Sequence, residues 1–294
     1  MLPFFPTPYS DELLYSLICR YHLRSSNRSF RQTQLDLFET AGAKKYYLGL
    51  PNNLATLVHK LLFGSSLTIN QLLQKHTLFP YYRTFLTPRE VKRLQELMER
   101  KESKSIAQVA RIPKLRLYYP EYLQFCPQCL TEDLRQYGET YWHRLHQVAG
   151  MRVCLTHGVG LENSQVLVSE MGKIFVAADE ENCVGEGMSY DEGILTKLWE
   201  FGRVIEGKMR QKSSFPGLKG LRDGYKKDLM RLGLTEEKLA EAMSDRYGEE
   251  VLRVIHPEMM EGLGEYVWGC LLGCDLLPEV DRVVHWLVER ILWD

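Results

Sequence analysis

Cys126-Pro127-Gln128-Cys129 and Cys154-Leu155-Thr156-His157 each place two metal-ligand side chains three positions apart, with 24 residues between the pairs. Zinc takes four tetrahedral sulfur or nitrogen ligands, and a Cys-x2-Cys turn aims two sulfurs at one ion. The pattern predicts a closed, structural Cys3His site for one Zn2+, with Cys126, Cys129, Cys154 and His157 as ligands. Nothing in it leaves a fourth position open for a water, as a catalytic zinc needs. His143 and His146 lie between the pairs and compete with His157 for the fourth place. Turn geometry favours His157, because Cys-x2-His mirrors Cys-x2-Cys. A single Cys-x-x-Cys can instead be a redox pair. Such pairs open a helix after a strand, whereas this one follows Leu123-Gln124-Phe125 and has Pro127 inside its turn. The second pair at ribbon distance decides for metal.

The elements that must position these ligands read as follows. Thr131–Tyr137 is predicted as a short helix ended by Gly138. Glu139–Val148 is predicted as another, burying Trp142 and Leu145. After Gly158, Val166–Val168 and Ile174–Val176 flank a Gly-containing loop, which predicts a β-hairpin. Ahead of the ligands, Pro3–Pro8 is an extended arm, because three prolines fix φ and remove donors. Ser10 reads as the cap of a first helix running to about Arg24, with Asp11 and Glu12 in its first turn. Short helices follow near 31–39, 53–62 and 69–76, the last with a Thr68/Gln71 capping box. Thr87-Pro88-Arg89-Glu90 starts a longer one, with Thr at the cap and Pro at the first helical position. Short helices joined by tight Gly/Ser turns fit a helix-turn-helix-like bundle. Beyond an acidic, Gly-rich linker at 179–187 the chain is helical again, with a second helix-turn-helix-like pair across Gly233-Leu234-Thr235. The fold class is therefore mainly α, in three parts. Residues 1–114 form a helical domain, 115–178 a zinc ribbon with a helical insertion and a small β-hairpin, and 190–294 a helical domain.

Composition narrows the function. A hydrophobic fraction of 45% and a charged fraction of 26% are those of a soluble globular protein. No stretch approaches the roughly 20 apolar residues of a membrane span, so no membrane partner is expected. The seven cysteines divide into three on metal and four free, Cys19, Cys183, Cys270 and Cys274. Free thiols with no targeting segment predict a reducing cytoplasm. Net charge is −1, but residues 1–120 carry 18 Lys+Arg against 8 Asp+Glu while residues 161–294 carry 16 against 26. A basic front suits nucleic acid or an acidic protein face, and an acidic rear does not suit phosphate. Arg24, Arg28, Arg31, Lys44, Lys45, Arg111, Lys114 and Arg116 are the candidate nucleic-acid contacts. The predicted helix 236–246 is too acidic to read base edges. With no G-x-S-x-G, no P-loop and no acidic triad at metal-ligand spacing, no enzyme activity is expected.

Several of these residues form a pattern. Phe5-Pro6-Thr7-Pro8-Tyr9-Ser10-Asp11-Glu12-Leu13-Leu14-Tyr15-Ser16, followed by Arg20-Tyr21-His22, resembles the opening of the TniQ/TnsD family. His76-Thr77-Leu78-Phe79-Pro80-Tyr81-Tyr82 resembles its next landmark. Phe125–Cys129, Tyr137-Gly138-Glu139, Tyr141–Arg144 and Cys154–Gly158 resemble its zinc segment. The resemblance implies a bacterial, non-catalytic adaptor in transposition target selection. It would link a DNA site or a CRISPR effector complex to the AAA+ regulator TnsC. The alternative is a protein that recognises the insertion site itself by sequence-specific DNA binding. The resemblance assigns the partner surface to the arm and first helix, through Phe4, Phe5, Pro6, Pro8, Tyr9, Glu12, Arg20 and Arg24. Many relatives carry a further Cys pair where this chain has only Cys183, which implies one zinc. The chain is expected to be a short TniQ-type member or the front part of a longer TnsD.

Overall fold

The computed structural model describes residues 2–40, 49–61, 67–101, 106–112, 120–185, 187, 189–212, 215–272 and 281–293. Lys44, Lys45, Lys114, Arg116 and Cys274 lie outside them. The front of the chain is helical: α1 (Leu14–Arg24), α2 (Phe30–Phe38), α3 (Leu54–Lys60), α4 (Ile69–His76), α5 (Phe79–Tyr82), α6 (Pro88–Glu99) and α7 (Ile106–Val109). The middle holds β1 (Tyr122–Phe125), α8 (Pro127–Tyr137) and β2 (Glu162–Leu167). The rear is helical again, with α9 (Glu192–Arg210), α10 (Gly217–Leu232), α11 (Glu236–Tyr247), α12 (Glu249–Ile255), α13 (Leu263–Leu272) and α14 (Arg282–Trp293).

Local chemistry starts several of these helices as expected. Both capping boxes close. Thr68 N donates to Gln71 Oε1 at 2.8 Å and Gln71 N to Thr68 Oγ1 at 3.2 Å. Thr87 N donates to Glu90 Oε2 at 2.8 Å, ahead of Pro88 in the first turn of α6. Each box satisfies two donors that a helix start leaves open. Gly233, at φ 63°, ends α10, and Thr235 caps α11.

Three local expectations are corrected. The first helix does not start at Ser10. Leu13 precedes its first residue and offers no side-chain cap, and Asp11 sits at φ 54°. Asp11 and Glu12 are drawn away by stronger partners, because charge-assisted bonds to arginine outweigh a place in a first turn. The stretch Glu139–Val148 is not a helix. Only Leu145–Gln147 turns, as a 3-10 segment. Its backbone is held from outside: Leu13 N donates to Trp142 O at 2.9 Å and Trp142 N to Ser16 Oγ at 3.1 Å. The hairpin does not form either. β2 pairs antiparallel with β1, with Gln124 opposite Asn163 and Phe125 opposite Glu162. Ile174–Val176 is bonded to side chains instead. Tyr15 Oη donates to Ile174 O and accepts from Val176 N, both at 3.1 Å, and Trp142 Nε1 donates to Val176 O at 2.9 Å.

One hydrophobic core runs from Leu2 to Leu292 through front, middle and rear. The rear enters the front through α14. Arg282 is fully buried, donates to Tyr82 O at 3.1 Å and Ala110 O at 2.7 Å, and lies 5.0 Å from the Tyr82 ring centre. Trp286 meets Tyr81 edge-on at 5.5 Å. No helix among the described residues is long and apolar enough to cross a membrane.

Candidate metal centre

The two predicted ligand turns meet. Cys126 is the cap of α8, and its Sγ accepts from Cys129 N at 3.5 Å. Contrary to expectation, this pair does open a helix after a strand, β1, and it is the approach of Cys154 and His157 that favours a metal over a redox pair. That turn leaves both sulfurs on one side. The second turn closes where Gly158, at φ 68°, donates its N–H to Cys154 O at 2.8 Å. Glycine suits that position because a Cβ disfavours the left-handed region. His157 Nδ1 then stands 3.4 Å from Cys126 Sγ, 3.4 Å from Cys129 Sγ and 3.5 Å from Cys154 Sγ, and the last two sulfurs are 3.6 Å apart. A tetrahedral ion with bonds of about 2.3 Å to sulfur and about 2.0 Å to nitrogen has ligand edges of about 3.5–3.8 Å. The cluster fits that figure and could hold a metal ion. The three cysteines are buried and His157 nearly so. His157 Nε2 lies 3.1 Å from a Glu132 carboxylate oxygen without hydrogen-bond alignment, so Glu132 stands near the nitrogen that faces away from the sulfurs.

The thiols oppose one another's ionisation when no cation is present. Hydrogen bonding with Cys126, then Cys154, and then burial raise Cys129 far above the ordinary thiol range. Cys154 is pulled down by hydrogen bonds from Cys126 and then Cys129. A divalent ion removes that conflict, because it favours every ligand in its ionised form. His143 and His146 also approach Cys129, within 4.8 Å, but only His157 faces all three sulfurs. His143 is committed elsewhere, with Nε2 2.8 Å from Asp133 Oδ2. Burial lowers the pKa of His146 and keeps it neutral.

A second polar cluster fastens this module to the N-terminal arm. Arg20 Nη1 reaches Glu12 Oε2 at 2.8 Å, and its Nε and Nη2 reach Glu139 Oε1 at 3.1 and 2.7 Å. Tyr9 Oη donates to the same Glu139 oxygen at 2.7 Å, and Arg24 joins them. Glu12 also accepts from Tyr9 N and Ser16 Oγ, both at 2.9 Å. The Arg20 guanidinium stacks 4.1 Å from the Tyr9 ring centre, and Tyr9 stacks on Tyr137 at 4.2 Å. Burial opposes ionisation of Glu139, but hydrogen bonds from Arg20 and Tyr9 hold its pKa below the usual range.

This network corrects part of the expected partner surface. Glu12 and Arg20 are 0% and 3% exposed, so they face each other rather than a partner, and Pro6 is buried too. Phe4, Phe5, Pro8 and Tyr9 are half-buried, with Phe4 stacked on Tyr21. Arg24 is exposed. Of the expected nucleic-acid contacts, Arg28 and Arg31 are exposed as well, whereas Arg111 is spent on Glu90 at 2.6 Å. Sequence reasoning missed Glu139 as the acceptor that joins arm and module. Nothing local signals it, since its partner Arg20 is 119 residues away.

The ligand turns, the Arg20 network and the aromatic arm all fall within the stretch 3–161, which matches the family model described as TniQ. The chain belongs to the TniQ family. Over 265 residues, 87% of its length, it is 26% identical to the Transposon Tn7 transposition protein TnsD of Escherichia coli. The match covers 51% of that relative, so this TniQ chain spans about half the length of the curated protein it resembles. The metal ligands and the Glu139 network both lie inside the family stretch.

Proposed function

We propose that the chain is a non-catalytic adaptor in transposition target selection, linking a target to an AAA+ regulator of the TnsC type. The TniQ match over residues 3–161 carries this reading, and the likeness to a transposition protein of Tn7 supports it. The target is a DNA site or an RNA-guided complex at such a site. One Zn2+, bound by Cys126, Cys129, Cys154 and His157, would supply folding energy rather than chemistry, because its four ligands leave no place for water. The three parts 1–114, 115–178 and 190–294 act as front, joint and rear.

The partner surface is drawn where the first helix meets the metal module. Arg24 is exposed there beside Glu139, and Leu23, Leu134 and Tyr137 are exposed large apolar side chains at 67%, 45% and 37%. An exposed apolar group rimmed by charge favours a protein partner. A direct reader of DNA sequence is less favoured, because α11 opens with exposed Glu236 and Glu237 where a recognition helix brings donors to base edges. Co-precipitation with a TnsC-type ATPase, ATP and DNA tests the proposal. Arg24→Glu with Tyr137→Ala is expected to lower recovery of the ATPase at least tenfold while the chain stays folded, with the melting temperature lowered by no more than loss of the Arg24–Glu139 bridge and the Tyr9–Tyr137 stack allows. Recovery equal to that of the unmodified chain removes this surface from the reading.

A further inference from the structure

The free positive charge is not confined to the front that the segment totals mark as basic. In that front, Arg20, Arg83 and Arg111 bond internally, to Glu139, Gln74 and Glu90 among others. In the acidic rear, residues 203–231 run the other way, with nine Lys+Arg against three Asp+Glu. Most of this charge sits on α10, whose Lys219, Lys226 and Lys227 are exposed. They recur at helical spacing, about 12 Å from first to last at 1.5 Å per residue. On α6, Arg89, Lys92 and Arg93 are exposed at the same kind of spacing. None of these six cations makes an ion pair among the described residues.

The two helices start side by side. A Cβ at Gly217, the first residue of α10, would stand 4.0 Å from the methyl group of Thr87, the cap of α6. Phe85 and Phe215, just ahead of the two starts, pack edge to face at 5.6 Å. Two helix N-termini, each carrying a partial positive charge, therefore start close together, with Arg89 and Lys219 in their first turns. The acids nearby are Asp223, which is exposed, and Glu90, Glu96 and Asp228, of which Glu90 faces Arg111 and Asp228 faces Arg231.

We propose that α6 and α10 form a cationic platform for the sugar–phosphate backbone of duplex DNA, outside the metal module and its partner surface. The choice of DNA rests on the transposition reading above. The chemistry of the side chains sets the mode. Lysines are point charges that suit phosphate oxygens. The exposed residues of α10 otherwise include Gly220, Asp223, Met230 and Arg231, and Arg231 is paired with Asp228 at 3.4 Å. Of the exposed aromatics among the described residues, Tyr137, Trp199 and Trp293, the last stands beside α10, where its Nε1 donates to Asp228 at 2.9 Å and its ring stacks on Tyr225. Four of the six cations are lysines, so the platform chiefly holds the backbone and positions a duplex.

The test measures binding of the full chain to a labelled duplex of arbitrary sequence across a series of salt concentrations. Removing one cation that neutralises a phosphate lowers the slope of log affinity against log salt by about 0.9. Lys219→Glu, Lys226→Glu and Lys227→Glu together are expected to lower it by about 2–3 and to weaken binding at least tenfold at ~0.1 M salt. Arg89→Gln, Lys92→Gln and Arg93→Gln together give a change of the same sign and keep the test valid if the reversal unfolds. All six positions are exposed, so melting temperatures should not move. Three outcomes would overturn the platform: an unchanged slope in both triples, a single strand bound more tightly than the duplex, or equal competition by polyglutamate of the same charge. ATPase recruitment measured on the same variants separates the two proposals, since it fails with Arg24→Glu and survives loss of the platform.

Discussion

Two polar clusters hold residues 121–185 in place: the Cys–His tetrahedron and the Arg20–Glu12–Glu139 network. The tetrahedron draws all its ligands from one stretch of 32 residues, 126–157, and ties the module to itself. The network reaches from residue 7 to residue 139 and ties the module to the arm. Both bury charge. A metal ion satisfies four ligands at one point, so the first cluster is complete within the module. The second neutralises Arg20 with two carboxylates and is complete only when arm and module are together. The difference teaches that the module's interior is fixed locally while its placement is fixed by ion pairing.

Removing one member of each cluster should separate these roles. The largest effect is expected for Cys126→Ser. Bound zinc falls from about one per chain to none, and limited proteolysis opens residues 120–180, because structural zinc supplies folding energy outright. Arg20→Met follows, at about 3–5 kcal/mol, because Glu12 is left buried with no counter-charge. Denaturant unfolding measures it, and zinc content should stay near one per chain. Adding Glu12→Leu to Arg20→Met should recover part of the loss. If Arg20→Met also empties the metal site, the two clusters are one structural unit and the comparison fails.

A smaller effect is expected from acid. Burial pushes His285, beside Tyr225, from 6.5 down to about 4. The unfolded chain therefore takes up this proton first. Stability is fully present above pH ~6.5 and falls as pH drops toward ~4, by about 3 kcal/mol at the limit. Burial lowers His22 and His76 as well, in the same direction. Thermal melts at pH 7 and pH 5 should show the loss, and His285→Gln should flatten it. The smallest effect belongs to Arg24→Ala. Its side chain is 48% exposed, so its bridge to Glu139 is worth at most about 1 kcal/mol.

The Cys126, Cys129, Cys154 and His157 cluster was legible in the sequence because two short motifs at fixed spacing state the turns that bring the four side chains together. The Thr68 and Thr87 capping boxes were legible for the same reason, each lying within four residues. The hairpin misled because alternation identifies extended chain without naming its partner. Ile174–Val176 is extended and pairs with Tyr15 and Trp142 rather than a strand. Ser10 misled because a local cap was weighed without Arg144, which binds Asp11 at 2.9 Å from 133 residues away. Segment charge misled most. The totals count Arg20 and Lys219 alike, although the first is 3% exposed and the second stands in solvent.

Arg282 has a consequence for how the chain is made. It supplies donors to carbonyls of Tyr82 and Ala110, and Trp286 behind it covers Tyr81 and Phe85. A ribosome delivers those front residues long before α14 leaves the exit tunnel. Until then the aromatic face at 81–85 has only part of its cover, from α9 and Phe215, and a nascent front half exposes the area that α14 later buries. The yield of folded protein is then expected to depend on how long that area waits for α14 as well as on native stability.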